Sequence, residues 1–331
     1  MSAERVLSVA EIARAAQTVL GRVRGVVVEM DRALTIALAT VLAGGHVLFE
    51  DVPGLGKTLA ARSLASALGL RFRRLQCTPD LLPADITGSF LYQPATAEFV
   101  FRPGPIFCGL FLADEINRTS PKTQSALLEA MAEGQVTVEG TSYALPTPFH
   151  VIATANPIEY EGTYALPEAQ LDRFMVRLAV GYPGRDGETE ILLNRVARRR
   201  EVATVEPVID AATLAAMQAG VERVYVEPDI ARYCVDLAVA TRRARAVAVG
   251  ASPRGSQGLM LVARALAVIA GRDFVTPEDV KAVAVPVLAH RISLTPQAWA
   301  EGTRAEDLIA RTVEEVPGPP TVGHRQAAPA R

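Results

Sequence analysis

No part of the sequence restricts the choice of folds more than Asp51-Val-Pro-Gly-Leu-Gly-Lys-Thr58, a glycine-rich turn. It follows the short apolar run HVLFE at 46–50 and opens a helical stretch at 57–69. Such a turn lets backbone N–H groups point inward around phosphate oxygens, while a lysine reaches the outer phosphates and a hydroxyl holds magnesium. The helix N-terminus adds positive potential. The segment therefore predicts a P-loop on a strand–turn–helix unit.

Within this predicted P-loop, Gly54, Gly56, Lys57 and Thr58 fill the roles of turn, phosphate ligand and magnesium ligand. The usual spacing begins with a glycine, where this chain has Asp51, so the match is imperfect. A structural glycine turn is the alternative. The nucleotide-binding candidates are Asp51, Pro53, Gly54, Leu55, Gly56, Lys57, Thr58 and Leu59.

A pair of acids follows the apolar run Leu110-Phe-Leu-Ala, namely Asp114 and Glu115. One carboxylate can hold magnesium through water beside Thr58, and the next can polarise an attacking water. We therefore assign Asp114 to the metal and Glu115 to the catalytic base. An Asp-Glu helix cap is the alternative.

A further buried run, Phe149-His-Val-Ile-Ala-Thr-Ala, ends in Asn156. In a parallel sheet the carboxyl ends of the strands meet at the ligand crevice. Asn156 is therefore expected near the terminal phosphate, where it would orient the water. A turn asparagine before Pro157 is the alternative.

The order of apolar runs and helical periods predicts an α/β architecture. Strands are expected at 46–50, 72–76, 110–113, 149–153 and 175–180, with helix-period segments between most of them. That alternation favours a mainly parallel sheet covered on both faces. From Gly181 to about Val316 the whole sequence is predicted to be helical.

Composition and charge exclude several classes of protein. The 34 basic and 36 acidic residues give a net charge of −2, with no electrostatic footprint for nucleic acid. The uncharged run 34–49 is short for a membrane span and is broken by Gly44-Gly45. Three widely spaced cysteines indicate reduced thiols in a cytoplasmic protein, and the four histidines show no metal-ligand spacing.

Several segments together resemble the MoxR family of AAA+ ATPases, over roughly residues 20–310. They are GGHVLFEDVPGLGKT, CTPDLLPADITGS, LADEINRTSPKTQSALLEAMAEGQVTV, ATANPIEYEGTYALPEAQLDRF and GASPRGSQGL. The resemblance implies a P-loop NTPase αβα sandwich with a mainly parallel five-stranded sheet, followed by an all-α lid. It also implies a six-membered ring that hydrolyses ATP with Mg²⁺.

The resemblance assigns further roles to single residues. Asn156 takes the place of sensor 1, and Arg173, in Leu-Asp-Arg-Phe, that of the arginine finger that reaches a neighbouring subunit's nucleotide. Arg254, in Ala-Ser-Pro-Arg, matches sensor 2, presented from the lid onto the phosphates of its own subunit. For both arginines a surface ion pair is the alternative. One departure lies beside the adenine pocket, where Glu29-Met30 replaces the usual Gly-Gln.

The same resemblance sets the expected domains. They are an N-terminal helix at 1–20, the nucleotide domain at 21–182, the lid at 183–316 and a disordered tail at 317–331. Hairpin insertions near 93–104 and 134–147 are expected to face the ring's pore, where they can touch a client protein. As ordinary hairpins they would instead place Phe99 and Phe101 in the core. Trp299 is expected to pack within the lid.

These features predict a cytoplasmic ATPase ring that remodels a protein or aids insertion of a cofactor or metal. The resemblance implies a von Willebrand A-type protein as partner. The alternatives are a magnesium-chelatase-type motor subunit and a nucleotide-gated scaffold with little turnover, although binding alone needs neither Glu115 nor Arg173. A DNA motor is disfavoured by the neutral net charge.

Overall fold

The computed structural model describes residues 7–157, 163–199 and 204–320. Its helices, in chain order, are α1 Val9–Arg24, α2 Asp31–Leu42, α3 Lys57–Ala67, α4 Pro83–Thr87, α5 Pro121–Glu133, α6 Glu168–Leu171, α7 Arg185–Arg198, α8 Ala211–Val221, α9 Pro228–Arg243, α10 Pro253–Ile269, α11 Pro277–Leu288, α12 Pro296–Ala300 and α13 Ala305–Glu315. Its strands are β1 Val47–Glu50, β2 Phe72–Gln76, β3 Gly88–Gln93, β4 Glu98–Pro103, β5 Leu110–Asp114, β6 Gln135–Val138, β7 Thr141–Ala144, β8 His150–Ala155, β9 Val176–Leu178, β10 Val247–Val249 and β11 Ser293–Leu294.

The central feature is a five-stranded sheet in the order β2-β5-β8-β1-β9, in which every pairing is parallel. Every residue of β5 and β8 is buried. Strands covered on both faces read as continuous apolar runs, which explains the runs seen in the sequence. The predicted parallel five-stranded sheet is confirmed.

Helices cover both faces of this sheet. Val47 and Phe49 of β1 pack into a core shared with α1, α2 and α3, whereas Leu48 faces a second core that includes residues of α5. Successive side chains of a strand point to opposite faces, so this alternation gives three layers. The αβα sandwich is therefore confirmed as well.

The region after β9 forms the helical lid. Helix α10 packs against α2, α9 and α11, and residues of these helices share the first core. The expectation of helix alone from Gly181 to Val316 was wrong at one point, because β10 pairs with β11 in antiparallel fashion, Val247 opposite Leu294. Strands of three and two residues are too short to give a periodic signal in the sequence.

Two antiparallel hairpins extend from the sandwich. The first, β3–β4, begins at Gly88 and pairs Phe90 with Phe101, and the second is β6–β7. The expectation of Phe99 in the core was wrong, since its side chain is 70% exposed. Phe101 is half-buried and stacks on Tyr143 of the second hairpin, with ring centroids 4.0 Å apart. The two hairpins therefore contact each other through aromatic rings.

Other sequence expectations differ in detail at the lid and the termini. Trp299 is 76% exposed instead of packed, because the five-residue α12 buries only Ala298. Helix α1 continues to Arg24, past the expected end at 20. Residues 317–320 have no regular structure, and the rest of the expected tail lies outside the described residues. Across the described ranges, each helix is too short or too polar to cross a bilayer.

Candidate functional site

The P-loop connects β1 to α3 at the carboxyl end of the sheet. Gly54 and Gly56 adopt left-handed backbone angles, with φ of +86° and +80°. A Cβ atom would meet nothing within 4 Å at either position, so the backbone conformation and not lack of space calls for glycine. Gly56 is the N-cap of α3, whose first two residues are Lys57 and Thr58. The start of α3 thus turns its backbone N–H groups and its positive dipole end towards the loop.

Lys57 is buried beside this turn. Its ammonium group donates to the carbonyl oxygens of Asp51 and Val52, the latter at 3.0 Å. Burial lowers the pKa of Lys57, while the charges of Asp51, Asp114 and Glu115 act in the opposite direction. A poorly hydrated ammonium among backbone carbonyls is a group that an anionic phosphate can attract away from them.

Asp51, the departure from the usual P-loop spacing, has a structural partner for each oxygen. One carboxylate oxygen accepts the N–H of Val52 (2.8 Å), and the other accepts the N–H groups of Val180 and Gly181 (both 2.7 Å). The carboxylate therefore ties the P-loop to the chain that leaves β9. A glycine at this position could not make these bonds.

Asp114 and Thr58 meet at the end of β5. The Thr58 hydroxyl lies 3.2 Å from one carboxylate oxygen of Asp114, and the Thr154 hydroxyl donates to the other at 2.6 Å. Arg74 of β2 also donates to the oxygen beside Thr58, at 2.8 Å. The register that places β5 between β2 and β8 brings Asp114, Arg74 and Thr154 together, and the start of α3 adds Thr58.

Glu115 follows directly and has a left-handed backbone, with φ of +59°, which is uncommon for a residue other than glycine. Its N–H donates to the same Thr154 hydroxyl at 2.8 Å. Its carboxylate accepts from Gln76 at 2.8 Å and from Arg118 at 3.1 Å. Thr154 therefore positions both acids, one through its proton and the other through its lone pair.

Asn156 is buried at the end of β8. Its backbone carbonyl oxygen accepts from the Asn117 side chain at 3.0 Å, and its N–H donates back to that side chain at 3.4 Å. These bonds join the loop after β8 to the turn that carries Glu115. The structure thus brings Asn156, Glu115, Asp114 and Thr58 to one edge of the sheet.

Sequence reasoning missed Thr154, Arg74, Gln76 and Asn117. Thr154 and Asn117 lie within segments that carry the family resemblance, and Gln76 is the last residue of the β2 run. A polar residue at the last positions of a buried strand is the signal that pointed to Asn156. The same signal, applied to the residue two before Asn156, would have found Thr154, whereas the exposed β2 gives no such signal for Gln76.

Arg173 lies at the opposite end of the sheet. Strand β9 runs parallel to β1, and the N–H of Met175, just before β9, donates to the carbonyl oxygen of His46, just before β1, at 2.9 Å. Arg173 is two residues earlier, and its guanidinium donates to the carbonyl oxygen of Leu128. The P-loop of the same chain follows the other end of β1. The four residues of β1 separate the two ends by about 13 Å, at about 3.3 Å per residue.

Arg254 lies at the same end as Arg173. Its side chain is 63% exposed, and its guanidinium lies 3.7 Å from the carboxylate of Asp172. The same carboxylate accepts a hydrogen bond from the buried Arg291 at 2.7 Å. This position differs from the expected one on the phosphates of its own subunit. Gly255 and Gly258 explain it, because they let the first turns of α10 pack closely against α11.

A cavity of about 740 Å³ adjoins the P-loop at Asp51. Its walls include Glu29 and Met30, the pair that replaces the usual Gly-Gln, together with lid residues such as Arg304. Glu29 has φ of +54°, and its carboxylate accepts the N–H of Gly184, the N-cap of α7, at 2.7 Å. The departure at Glu29 therefore caps a helix beside the cavity.

The residues at the strand ends fit a magnesium ion that binds together with phosphates. The Thr58 hydroxyl and the Asp114 carboxylate are hard oxygen donors 3.2 Å apart. Mg²⁺ in proteins is usually held by one or two such groups, with waters and substrate phosphates completing its shell. The left-handed glycines and the start of α3 supply the matching phosphate site.

Comparison with known proteins agrees with this geometry. The family described as "ATPase family associated with various cellular activities (AAA)" matches residues 46–176, and "AAA lid domain" matches residues 239–312. The protein YeaC of Bacillus subtilis, described as uncharacterized, is 49% identical over 284 residues, which are 86% of this chain and 88% of YeaC. "Chaperone MoxR1" of Mycobacterium tuberculosis is 40% identical over 316 residues, 91% of this chain and 83% of that protein.

A solved structure extends the similarity to three dimensions. The crystal structure of a candidate ATPase from Cytophaga hutchinsonii superimposes with a TM-score of 0.87 at 38% identity, covering 93% of this chain and 96% of that one. A more distant relative, "Magnesium-chelatase 38 kDa subunit" of Acidiphilium rubrum, is 29% identical over 85% of this chain and 93% of its own length. The similarity therefore includes both the P-loop region and the lid.

Proposed function

The chain belongs to the MoxR family of AAA+ ATPases, and we propose that it hydrolyses ATP with Mg²⁺ in a ring of six copies of itself. One observation supports hydrolysis more than any other. The Thr154 hydroxyl donates to Asp114 and accepts the N–H of Glu115, so one residue orders a metal ligand and a base side by side. A site that only binds nucleotide has no need of an ordered base.

In this proposal each residue at the carboxyl edge has one task. The backbone N–H groups around Gly54 and Gly56 and the Lys57 ammonium bind the phosphates of ATP. When bound between Thr58 and Asp114, Mg²⁺ neutralises charge on those phosphates. Glu115 takes the proton of a water whose oxygen attacks the γ-phosphorus, while the bond to the β-phosphate oxygen breaks. Asn156 orients that water.

The arginines support assembly into a ring. Arg173 and Arg254 lie at the end of the sheet away from the P-loop of their own chain, where they can serve the site of the next copy. A contact between two different surfaces of identical chains closes into a ring when the rotation allows. The positive charge that completes each site then comes from a neighbour, as arginine fingers do in other phosphoryl-transfer enzymes.

The biological role we propose is that of a cytoplasmic, chaperone-like motor. The mycobacterial relative is named a chaperone. The first hairpin presents Tyr92 and Phe99 to solvent as a ring pair with centroids 5.4 Å apart, an apolar surface that a client protein can contact. A von Willebrand A-type protein is the first partner to test, and a part in inserting a cofactor or metal is included in the proposal.

A magnesium-chelatase-type motor is the second candidate, supported by the 29% identical chelatase subunit, which matches across both domains. The 40% identity to the chaperone-named relative favours the first candidate. Addition of chelatase partner subunits with a magnesium-free porphyrin distinguishes the two, since only the second predicts metal insertion into the porphyrin.

Two substitutions test the proposed reaction. Lys57→Ala is expected to lose ATP binding, because the buried ammonium is the charge that meets the phosphates. Glu115→Gln is expected to bind ATP normally and to lose turnover by roughly 10²–10⁴-fold, the usual contribution of a general base. Fluorescent-nucleotide titration measures the first effect and phosphate release the second.

Matched controls are available on the exposed side of α5. Lys122→Ala and Glu129→Gln make the same chemical changes at exposed positions and are expected to behave like the wild type. Near-normal hydrolysis by Glu115→Gln would remove its assignment as the base. A wild type that binds ATP and shows no turnover under any assembly condition would instead favour the nucleotide-gated scaffold.

A further inference from the structure

Helix α7 stands apart from the rest of the described structure. Of its 14 residues only Gly187 is buried, and Ile191, Leu192, Leu193 and Val196 are all exposed. An isolated helix of this length is marginally stable in water, and most helices are held by packing of an apolar face. Within the described ranges, α7 therefore lacks the packing that usually stabilises a helix.

The apolar stripe of α7 faces away from its own chain. Gly187 contacts Glu29, and Ile191, one turn later on that side, is the least exposed of the four apolar residues at 44%. Leu192 and Val196 are four residues apart, so they share a face, and they are 68% and 72% exposed. Asn194, seven residues after Gly187, lies on the same side of the helix as Gly187 and Ile191 and is itself exposed.

The base of α7 is attached to the nucleotide cavity. Two carboxylates that line this cavity hold the segment leading into the helix, Asp51 through the N–H groups of Val180 and Gly181 and Glu29 through the N–H of Gly184. The helix therefore projects from the carboxyl edge of the sheet. Its direction depends on residues that a bound nucleotide would contact or displace.

A groove with mainly apolar walls lies beside the Arg173 end of the molecule and shares Arg177 and Ala289 with the walls of the nucleotide cavity. It has a volume of about 460 Å³, and its lining includes Leu171, Ile292, Leu294 and the exposed Trp299. Leu171 is two residues before Arg173, so the groove adjoins the surface that carries Arg173 and Arg254. An exposed tryptophan at the rim of such a groove is typical of a binding hot spot.

We propose that the stripe formed by Leu192, Leu193 and Val196 of one copy docks into the Trp299 groove of the next copy. The inference rests on the proposed ring. In that ring the Arg173 end of one copy meets the carboxyl edge of its neighbour, where α7 projects. Helix α7 carries both signs of charge, with Asp186 and Glu188 in its first turn and arginines at both ends, which suits a protein surface of mixed charge; a nucleic acid or an anionic membrane would require one sign.

Cross-linking tests which surfaces meet. The native cysteines Cys77, Cys108 and Cys234 are buried, so an introduced surface cysteine is the reactive one. One preparation carries Leu193→Cys and the other Trp299→Cys, and the two are mixed with ATP and Mg²⁺ before a short bismaleimide is added. The mixture is expected to give a cross-linked pair that joins positions 193 and 299 of different chains. Asn194→Cys in place of Leu193→Cys is the control and is expected to cross-link far less.

Assembly of charge variants gives a second measurement. Leu192→Glu and Trp299→Ala are each expected to weaken assembly by about 10–100-fold in dissociation constant, the range of interface hot spots. Asn194→Glu adds the same charge to α7 on the side of Gly187 and is expected to assemble like the wild type. Because Leu192 and Trp299 are exposed in the single chain, neither change should lower the unfolding temperature of the nucleotide-free monomer.

The outcomes separate this inference from the proposed function. If the wild type assembles, and neither the 193–299 cross-link nor the effect of Leu192→Glu is seen, the docking is wrong and the ring stands. If the wild type hydrolyses ATP as a strict monomer, the ring and the docking both fail while the ATPase stands. If the wild type binds no ATP, the proposed function itself fails.

Discussion

The two ends of the central sheet both carry polar side chains, and they use them in opposite ways. At the carboxyl end, Asp114 and Glu115 are bound by side chains such as Arg74 and Gln76, which a ligand can replace. At the amino end, His46 and His150 are bound chiefly by backbone groups that cannot leave. A ligand can therefore displace the hydrogen-bond partners at the carboxyl end, whereas the partners at the amino end are permanent.

The histidines show this permanence in detail. Nδ1 of His46 accepts the N–H of Val151 at 3.0 Å, so its proton lies on Nε2 and points to the carbonyl oxygen of Met131 at 3.2 Å. Nδ1 of His150 faces the carbonyl oxygen of Gly45 at 3.0 Å. Burial lowers the pKa of both rings to about 4, so they stay neutral at physiological pH. This end of the sheet therefore stabilises the fold and takes no part in nucleotide chemistry within its own chain.

The outer surface at the amino end adds a second lesson. There Arg173 and Arg254 flank Asp172, out of reach of the P-loop in the same chain. These two arginines are too far from the P-loop of their own chain to act there. In the proposed ring, one copy therefore supplies the phosphate and metal ligands and the next copy supplies the arginines.

The largest effect expected from this division is at Arg173. Arg173→Ala should bind nucleotide nearly normally and lose about 10³–10⁵-fold in hydrolysis, because a finger neutralises charge only as the γ-phosphoryl group leaves. Phosphate release and fluorescent-nucleotide affinity, measured on the same sample, separate the two effects. Arg223→Ala, an exposed arginine of the lid, is the control. Full activity of Arg173→Ala would make it a surface arginine, and Arg118 would be the next candidate.

Acid should destabilise the protein through the two buried histidines at the amino end of the sheet. The buried histidines have folded-state pKa values of about 4 against 6.5 unfolded, so the unfolded chain binds protons first as the pH falls. Their contribution is complete above pH 6.5 and is lost towards pH 4. At pH 5 the free energy of unfolding should have fallen by roughly 3–4 kcal/mol for the two together.

Urea unfolding of the nucleotide-free protein at pH 7.5, 6 and 5 measures this loss together with that of the buried His290, whose pKa burial also lowers. The histidine ring resonances give an independent control, since both rings should remain neutral in the folded protein at pH 5.5. A stability that is constant between pH 7.5 and 5 would contradict the assignment of these rings as buried neutral groups.

A smaller effect is expected at Thr154, which links the two acids. Thr154→Val keeps the shape of the side chain and removes both hydrogen bonds. Residues that orient metal or catalytic ligands typically contribute 10–100-fold, so kcat should fall by about that factor. The Mg²⁺ concentration needed for half-maximal nucleotide binding should also rise. Thr154→Ser, which retains the hydroxyl, should recover most of both losses, whereas a purely steric role would leave the isosteric Thr154→Val active and would impair Thr154→Ser.

The sequence predicted the carboxyl end of the sheet far better than the amino end. Asp114 and Asn156 each stand directly after an apolar run, and Gly54 and Lys57 lie in the turn that follows another. Parallel strands bring such positions together without further information. The partners of the histidines gave no signal, because His46 and Met131 are 85 residues apart and meet only through the order of the strands. A local sequence pattern predicts where a strand ends, whereas the contacts between distant strands depend on the topology of the sheet.

The lid shows the same limit. The Ser-Pro-Arg segment opens α10, with Ser252 as its N-cap. The place where that start lies depends on how α10 packs on α11 and on the closeness that Gly255 and Gly258 permit. No periodicity within α10 carries that information, so Arg254 was expected on the phosphates of its own chain and lies beside Asp172.

The division of the site between chains can be tested with two inactive variants. Arg173→Ala retains an intact P-loop and Lys57→Ala retains an intact Arg173, so neither chain alone holds both groups. The two are mixed under conditions that allow subunit exchange, and phosphate release is measured while native mass spectrometry follows the formation of mixed assemblies. Recovery of activity above that of either variant alone is the predicted result, because some interfaces then join an intact P-loop to an intact Arg173. Mixed assemblies that form and stay as inactive as the separate variants would contradict the account.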